Sequence, residues 1–276
     1  MPVPLHWHTE PLLLALLIGT GWAYAILTGP LRTRLFPGET LVTRKAVCFY
    51  AGLALAYLTV GSPLDQLGED FLFSAHMVQH MLLVYAIPPL LLYGLPGWLA
   101  DAALAWTPLR KLWRVLAHPV FAGMLFTFLY TVWHVPDAYE LALRKKWAHI
   151  LEHWLMFGPA LLMWWPILSP STRLPAMGYG LRMLYVFVLM IGQLPVFAFL
   201  TLSDTVLYPT YEFAPRIFDI TPLQDQILGG LIMKVTNMGV SLLVLGISFY
   251  RWYLKENGVS SSGQKVSLAS SQKPAS

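Results

Sequence analysis

The sequence predicts an all-α, polytopic membrane protein with seven transmembrane helices. Hydrophobic residues make up 57% of the chain and charged residues only 12%, whereas soluble domains average about 25% charged residues. The apolar residues also gather in runs that approach the length of about 20 residues needed for a helix to cross a bilayer. Residues 1–253 are therefore predicted to form one transmembrane domain, and the polar residues 254–276 a disordered tail.

Seven apolar runs define the predicted spans. In chain order they cover residues 11–27, 46–60, 71–93, 119–135, 147–168, 181–202 and 224–250. Pro88 and Pro89 are expected to kink the second half of the third span, and Pro195 lies inside the sixth. The first ten residues contain no Lys or Arg, so the first run is predicted to be a retained span and not a cleaved signal peptide.

The distribution of Lys and Arg predicts the orientation, because cytoplasmic segments of membrane proteins are enriched in positive charge. With seven spans, thirteen of the 18 basic residues lie on one side, four lie on the other, and Lys234 falls inside the seventh span. The N-terminus is thus expected outside and the C-terminus in the cytoplasm. The segment Arg144–Lys146 is the exception to this asymmetry. The net charge of +4 reflects these loops and does not predict a nucleic-acid partner.

The fifth span carries the most distinctive pattern in the chain. His149, Glu152, His153 and Met156 stand at positions i, i+3, i+4 and i+7, so a helix presents them on one face. Two imidazoles, a carboxylate and a thioether are all metal ligands. Cys48 is the single cysteine, which excludes an internal disulfide or a CxxC site.

Other histidines fall at the same predicted depth. His76 and His80 form a second i, i+4 pair in the outer half of the third span, and His134 sits at the outer end of the fourth. His6 and His8 precede the first span on the same side, so only His118 is expected at the inner surface. The predicted metal ligands on this extracytoplasmic side are His76, His80, His134, His149, His153, Met77, Met156 and Glu152.

Copper is the metal that this set favours, because imidazole binds copper or zinc and thioether favours Cu(I). Three alternatives stay open. Two facing histidines of spans three and five can ligate a b-type haem. The spacing His149-x-x-Glu152-His153 matches that of inverted zinc metalloproteases, with two zinc ligands and a general base. The histidines can also be hydrogen-bonding residues of a pure assembly scaffold.

Four blocks of sequence carry a resemblance to a known family. They are the run Phe73–Pro96, the segment Trp133–Pro136, the run HILEHWLMFGPALLMWWPIL at residues 149–168, and Asp225–Met233. Together these blocks resemble the CtaG-type cytochrome c oxidase assembly factors, which are bacterial integral membrane proteins.

The resemblance implies a multi-pass protein of the bacterial cell membrane that acts as a chaperone in oxidase maturation, handles copper for one of the oxidase centres, and is not an enzyme. The implied partners are the oxidase subunits, the lipid bilayer and an extracytoplasmic copper donor. On this hypothesis, copper is held between spans three and five and leaves by ligand exchange to a docked oxidase subunit.

Overall fold

The computed structural model describes Trp7 and residues 11–258, and the regular structure in that part of the chain is entirely helical. His6, His8 and the tail beyond Gly258 lie outside the described residues. The α-helices are α1 (Pro11–Thr28), α2 (Pro30–Leu35), α3 (Thr43–Val60), α4 (Pro63–Asp70), α5 (Phe73–Met81), α6 (Ile87–Gly94), α7 (Gly97–Ala103), α8 (Thr107–Leu116), α9 (Pro119–Trp133), α10 (Pro136–Arg144), α11 (Lys146–Leu168), α12 (Tyr179–Gly192), α13 (Leu194–Thr201), α14 (Pro209–Phe213) and α15 (Pro222–Glu256).

Within the described residues, four helical segments are long and apolar enough to cross a membrane. They are Pro11–Leu35, Phe73–Gly94, Tyr179–Thr201 and Pro222–Glu256, and the bent pairs α3–α4 and α8–α9 raise the number to six if each pair is one span. The helix α11 has 23 residues but is not in this set, because its polar histidines and glutamate lower its mean hydropathy. The all-α membrane fold is confirmed at this level, and the count of seven spans stays a prediction.

The segment Phe73–Gly94 lies at the centre of the bundle. In its most apolar window 56% of the residues are buried, compared with 11% for Pro11–Leu35. Its first half, α5, contacts α4 and α15, and its second half, α6, contacts α3 and α11. Side chains of this segment can therefore contact several other helices at the same time.

Proline chemistry links this central segment to α11. Pro88 has no N–H group, so the carbonyl of Val84, four residues earlier, lacks its usual helical partner. A π-helical turn, Leu82–Ala86, precedes the proline, and the indole Nε1 of Trp164 in α11 donates a hydrogen bond to the Val84 carbonyl at 2.8 Å. The expected proline irregularity thus becomes a point of attachment between the two helices that carry the histidine pairs.

A second polar contact joins three spans in the middle of the bundle. The predicted sixth span is interrupted at Gln193, between α12 and α13. The side-chain oxygen of Gln193 accepts a hydrogen bond from Tyr85 Oη at 2.8 Å, and Tyr85 Oη accepts one from Asn237 Nδ2 of α15 at 2.6 Å. Such buried hydrogen bonds between helices help to fix the spans relative to each other.

The contact between α3 and α6 depends on a glycine. A Cβ atom at Gly94 would lie 2.5 Å from the backbone nitrogen of Phe49 and 2.7 Å from its Cα. Replacing Gly94 with alanine is therefore expected to force the two helices apart and to lower the free energy of unfolding by about 1–3 kcal/mol. Unfolding of the detergent-solubilised protein by SDS measures this effect.

The matched control for this variant is Gly158→Ala on α11. A Cβ atom at Gly158 meets nothing within 4 Å, so alanine is expected to raise stability by up to about 1 kcal/mol through its higher helix propensity. Equal effects of the two substitutions would contradict the role of close backbone approach at Gly94.

Candidate metal centre

Two imidazoles of α5 face the polar side chains of α11. The Nε2 atoms of His76 and His80 each lie 3.6 Å from a carboxylate oxygen of Glu152. One ligand atom from each of His76, His149, Glu152 and His153 falls within 4.8 Å of the others. We call these four residues the inner group. The i, i+4 pairs of the third and fifth predicted spans therefore meet in space.

His80 and His134 extend the inner group. The Nε2 atoms of His80 and His76 are 2.8 Å apart, and the ring centroids of His80 and His134 are 5.6 Å apart. Nδ1 of His134 donates to the Tyr130 carbonyl at 2.6 Å. This bond leaves Nε2 of a neutral His134 ring without a proton, which is the form that binds metals.

The local structure explains why α5 starts where it does. No side chain within α5 caps its N-terminus; instead Asp225 of α15 accepts hydrogen bonds from the backbone N–H groups of Phe73 at 2.7 Å and Ser74 at 3.2 Å. A carboxylate at a helix N-terminus satisfies free N–H groups and opposes the positive end of the helix dipole. This contact fixes the first turn of α5, directly before His76.

Each of the six residues described so far, His76, His80, His134, His149, Glu152 and His153, has at least one buried polar atom without a hydrogen-bond partner. Buried nitrogen and oxygen atoms are paired in the great majority of cases in folded proteins. Here the unpaired buried atoms are His76 Nδ1, His80 Nδ1, His134 Nε2, His149 Nε2, His153 Nε2 and both carboxylate oxygens of Glu152.

Such a collection is costly unless a cation binds to it. Each unsatisfied buried polar group costs about 1–3 kcal/mol, and a charged group costs more. Glu152 is 0% exposed, so its carboxylate has no access to water that could replace the missing hydrogen bonds. A metal ion between α5 and α11 would accept lone pairs from the imidazoles and balance the charge of the carboxylate. The residues present therefore fit a metal ion.

The two predicted thioether ligands lie in apolar surroundings. Met77 and Met156 are fully buried in the hydrophobic core, and a Cβ atom at Gly229 of α15 would lie 3.1 Å from Met77 Cγ. Met77 therefore packs against α15, whereas His76 and His80 face α11. Ligation by either methionine stays a prediction, and the close donor set consists of imidazoles and a carboxylate.

A second group of possible ligands adjoins the first. Asp65 and Glu69 of α4 lie near His149, and one ligand atom from each of the three falls within 4.8 Å of the other two. His149 Nδ1 contacts Glu69 Oε1. We call Asp65, Glu69 and His149 the outer group. His149 is thus a member of both groups.

A family model described as cytochrome c oxidase caa3 assembly factor (Caa3_CtaG) matches residues 22–255. The chain belongs to this family. The match includes every helix that carries a residue of the inner or outer group, and it confirms the resemblance that the four sequence blocks indicated. The description of the family names an assembly factor and no catalysed reaction, and the non-catalytic role stays a prediction.

Longer mycobacterial proteins are similar to this chain. Uncharacterized proteins of Mycobacterium bovis and Mycobacterium tuberculosis are each 26% identical to it in an alignment of 278 positions, which covers 92% of this chain and 40% of theirs. An uncharacterized protein of Mycobacterium leprae is 25% identical over 87% of this chain and 38% of its own. The chain thus spans about two fifths of the length of these relatives. No solved structure matches it.

Three residues in and around the site are not among the predicted ligands. Asp65 and Glu69 have i, i+4 spacing, which signals a shared helix face but not its contact with His149. Asp225 begins one of the blocks that carry the family resemblance, and its hydrogen bonds to α5 join residues 152 and 151 positions apart. No local pattern in the sequence reports a contact over that distance.

Proposed function

We propose that this assembly factor binds one copper ion between α5 and α11 and transfers it to a cytochrome c oxidase subunit. The single observation that carries the proposal is that one ligand atom from each inner-group residue lies within 4.8 Å of the others, around a Glu152 carboxylate that is buried without a hydrogen-bond partner. Family membership supplies the oxidase as the destination. The protein acts on this proposal as a metal carrier, without catalytic turnover.

The donor atoms support copper as the cargo. Imidazole nitrogen binds both copper and zinc, and affinities of nitrogen and oxygen sites are highest for Cu²⁺ among the common divalent metals. His80 and His134 adjoin the inner group and offer further nitrogen ligands. An ion held by several exchangeable imidazoles can move stepwise, since one ligand is replaced before the next is released.

The alternatives fit the geometry less well. The carboxylate of Glu152 lies 3.6 Å from both His76 and His80, so a porphyrin between facing histidines of α5 and α11 would have to displace it. In the zinc-protease alternative, Glu152 must activate a water molecule beside the metal. Here Glu152 is fully buried and faces two further histidines.

The proposed topology places this site near the extracytoplasmic surface of the bacterial plasma membrane. In this topology the protein has seven spans, α11 is the fifth, the N-terminus lies outside and the C-terminus lies in the cytoplasm. The positive charges of the loops support this orientation. An extracytoplasmic copper donor and a docked oxidase subunit would then both reach the protein from that side.

The experiment that tests the proposal is metal loading of the detergent-purified protein. We expect about one copper ion per chain after anaerobic loading with Cu⁺ or loading with Cu²⁺ and removal of free metal. Elemental analysis measures the copper, and an absorption spectrum checks for haem. Protein that retains no copper under either condition would overturn the proposal, and an intense Soret band in the purified protein would favour the haem alternative.

A further inference from the structure

The outer group lies between the protein surface and the inner group. Its three members come from two helices, Asp65 and Glu69 from α4 and His149 from α11. Side-chain exposure falls from 31% at Glu69 to 7% at His149 and 0% at Glu152. The potential ligands thus form a continuous path from a partly exposed carboxylate to the fully buried one.

His149 connects the two parts of this path. Its Nδ1 atom contacts Glu69, and its Nε2 atom is buried without a hydrogen-bond partner. An imidazole has one nitrogen on each side of the ring and can bind a metal through either. Its two nitrogens therefore serve the two groups separately, Nδ1 the outer group and Nε2 the inner group.

Asp65 is held in place at the inner end of the outer group. It is 8% exposed, and its Oδ1 atom accepts a hydrogen bond from Gln79 Nε2 at 2.7 Å. Gln79 is itself fully buried, and its Oε1 atom has no partner. Buried amides and carboxylates in such fixed positions are typical of built sites, because each orients the next.

We propose that Asp65, Glu69 and His149 form an uptake site for a divalent transition-metal ion, which His149 then passes to the inner group. Two carboxylates and one imidazole are a donor set for Cu²⁺ or Zn²⁺ and a poor one for Cu⁺. The uptake site rests on the proposed function, because the inner group is the destination of the ion. The transfer is a ligand exchange without a change of oxidation state.

The ion can move from the outer group to the inner group by ligand exchange because both groups include His149. An ion at the surface first binds the carboxylates, whose charge attracts it. It gains Nδ1 of His149 as the third ligand. The ion then leaves the carboxylates and Nδ1, as Nε2 of the same imidazole, His76, Glu152 and His153 replace them. The inner group offers three imidazoles and the more deeply buried carboxylate, so the ion is held more tightly there.

The first test is the rate at which the full-length, detergent-purified protein takes up Cu²⁺. In Glu69→Gln, the carboxylate of the uptake site is replaced by a neutral side chain of the same shape, and all inner ligands remain. We expect the uptake rate constant to fall at least about tenfold, while the final copper content per chain stays that of the wild type. Stopped-flow measurement with a Cu²⁺ chelator as competitor gives the rate.

The control is Asp70→Asn, which removes the same charge from the adjacent, exposed residue of α4. Its expected effect is less than about twofold, since Asp70 belongs to neither the outer nor the inner group. Uptake by Glu69→Gln at the wild-type rate would overturn the uptake site. Equal slowing in Asp70→Asn would also overturn it, because charge alone would then explain the effect.

A second test separates the uptake site from the inner group. In His76→Ala/His153→Ala, one Cu²⁺ ion per chain is expected to remain weakly bound, with an electron paramagnetic resonance spectrum of one nitrogen ligand, and adding Glu69→Gln should abolish it. Absence of the weakly bound ion would overturn the uptake site but leave the inner group intact as a proposal. Wild-type protein that binds no metal would refute the inner group itself.

Discussion

Replacing His76 and His153 together with alanine is expected to remove tightly bound copper, from about one ion per chain to nearly none. The two residues come from different helices, and the remaining inner ligands, His149 and Glu152, both lie on α11. A metal ion then loses every ligand of the inner group on α5. Elemental analysis after removal of weakly bound metal by a chelator measures the loss.

The control for this variant is His118→Ala. His118 is exposed and directly precedes α9, whereas His134 follows the other end of that helix, about 24 Å away by helix rise. His118→Ala is expected to keep the wild-type copper content. Tight copper binding retained in the double variant would place the ion elsewhere, and equal loss in both variants would indicate misfolding, which circular dichroism and gel filtration reveal.

The same variant distinguishes a carrier from a scaffold. In cells whose only copy of this protein is His76→Ala/His153→Ala, a carrier role predicts an oxidase that contains its haem but lacks copper. A scaffold role predicts that the variant, if it accumulates to normal levels, supports an oxidase with the normal copper content. Copper and haem are both measured on the purified oxidase, so loss of the oxidase polypeptides is recognised separately.

Much of the helical framework could be predicted from hydropathy alone. The first predicted span, 11–27, corresponds to α1, and the fifth, 147–168, corresponds to α11, because a run of apolar residues ends where charged or turn-forming residues begin. The interruption at Gln193 was not predicted, although Pro195 pointed to the region. A proline marks where a helix loses a hydrogen bond, but the neighbouring helices decide how the chain accommodates it.

The site was predictable where helical periodicity applies. The spacing of His76 with His80 and of His149 with His153 fixes each pair on one helix face regardless of the rest of the fold. Periodicity also separates His76 from Met77, since adjacent residues point about 100° apart on a helix. The thioether of Met77 was nevertheless predicted as a ligand, and whether it ligates stays untested.

The outer group shows the limit of such reasoning. Asp65 and Glu69 lie on α4, a short helix that follows α3 after a bend of 40°, and only that bend brings them to His149. Gly68 also permits the approach of α4 to α5, because a Cβ atom there would lie 2.9 Å from the Cα of His76. Hydropathy and periodicity describe single helices, so they cannot report a contact made by the angle between two of them.

Glu152→Gln is expected to weaken copper binding at least about 100-fold and, in the absence of metal, to raise the free energy of unfolding by about 1–3 kcal/mol. The substitution removes a negatively charged ligand, which accounts for the loss of affinity. It also replaces an unpaired buried carboxylate with a neutral amide, which costs less to bury without partners than a charged group does.

Adding copper should therefore make the wild type more stable than Glu152→Gln, which is the reverse of the order expected without metal. A ligand stabilises the folded state according to its affinity and concentration, so the wild type gains more from copper than Glu152→Gln does. Unfolding curves in detergent, with and without copper, measure both effects on the same samples. A wild type that is already the more stable protein without metal would mean that the carboxylate of Glu152 is satisfied by something other than a cation.

Glu140→Gln is the matched control, because Glu140 is a buried carboxylate with its hydrogen bonds made. It accepts from the backbone N–H of Thr210 at 3.0 Å, from the Thr210 hydroxyl at 2.8 Å and from Arg144 at 2.8 Å. Its replacement should lower stability equally with and without copper and leave copper affinity unchanged. In the metal-free protein, the Glu152→Gln substitution should therefore raise the free energy of unfolding and the Glu140→Gln substitution should lower it. Such opposite effects would show that Glu152 destabilises the fold because its carboxylate lacks a partner. On the proposed function, the partner that it lacks is the metal ion.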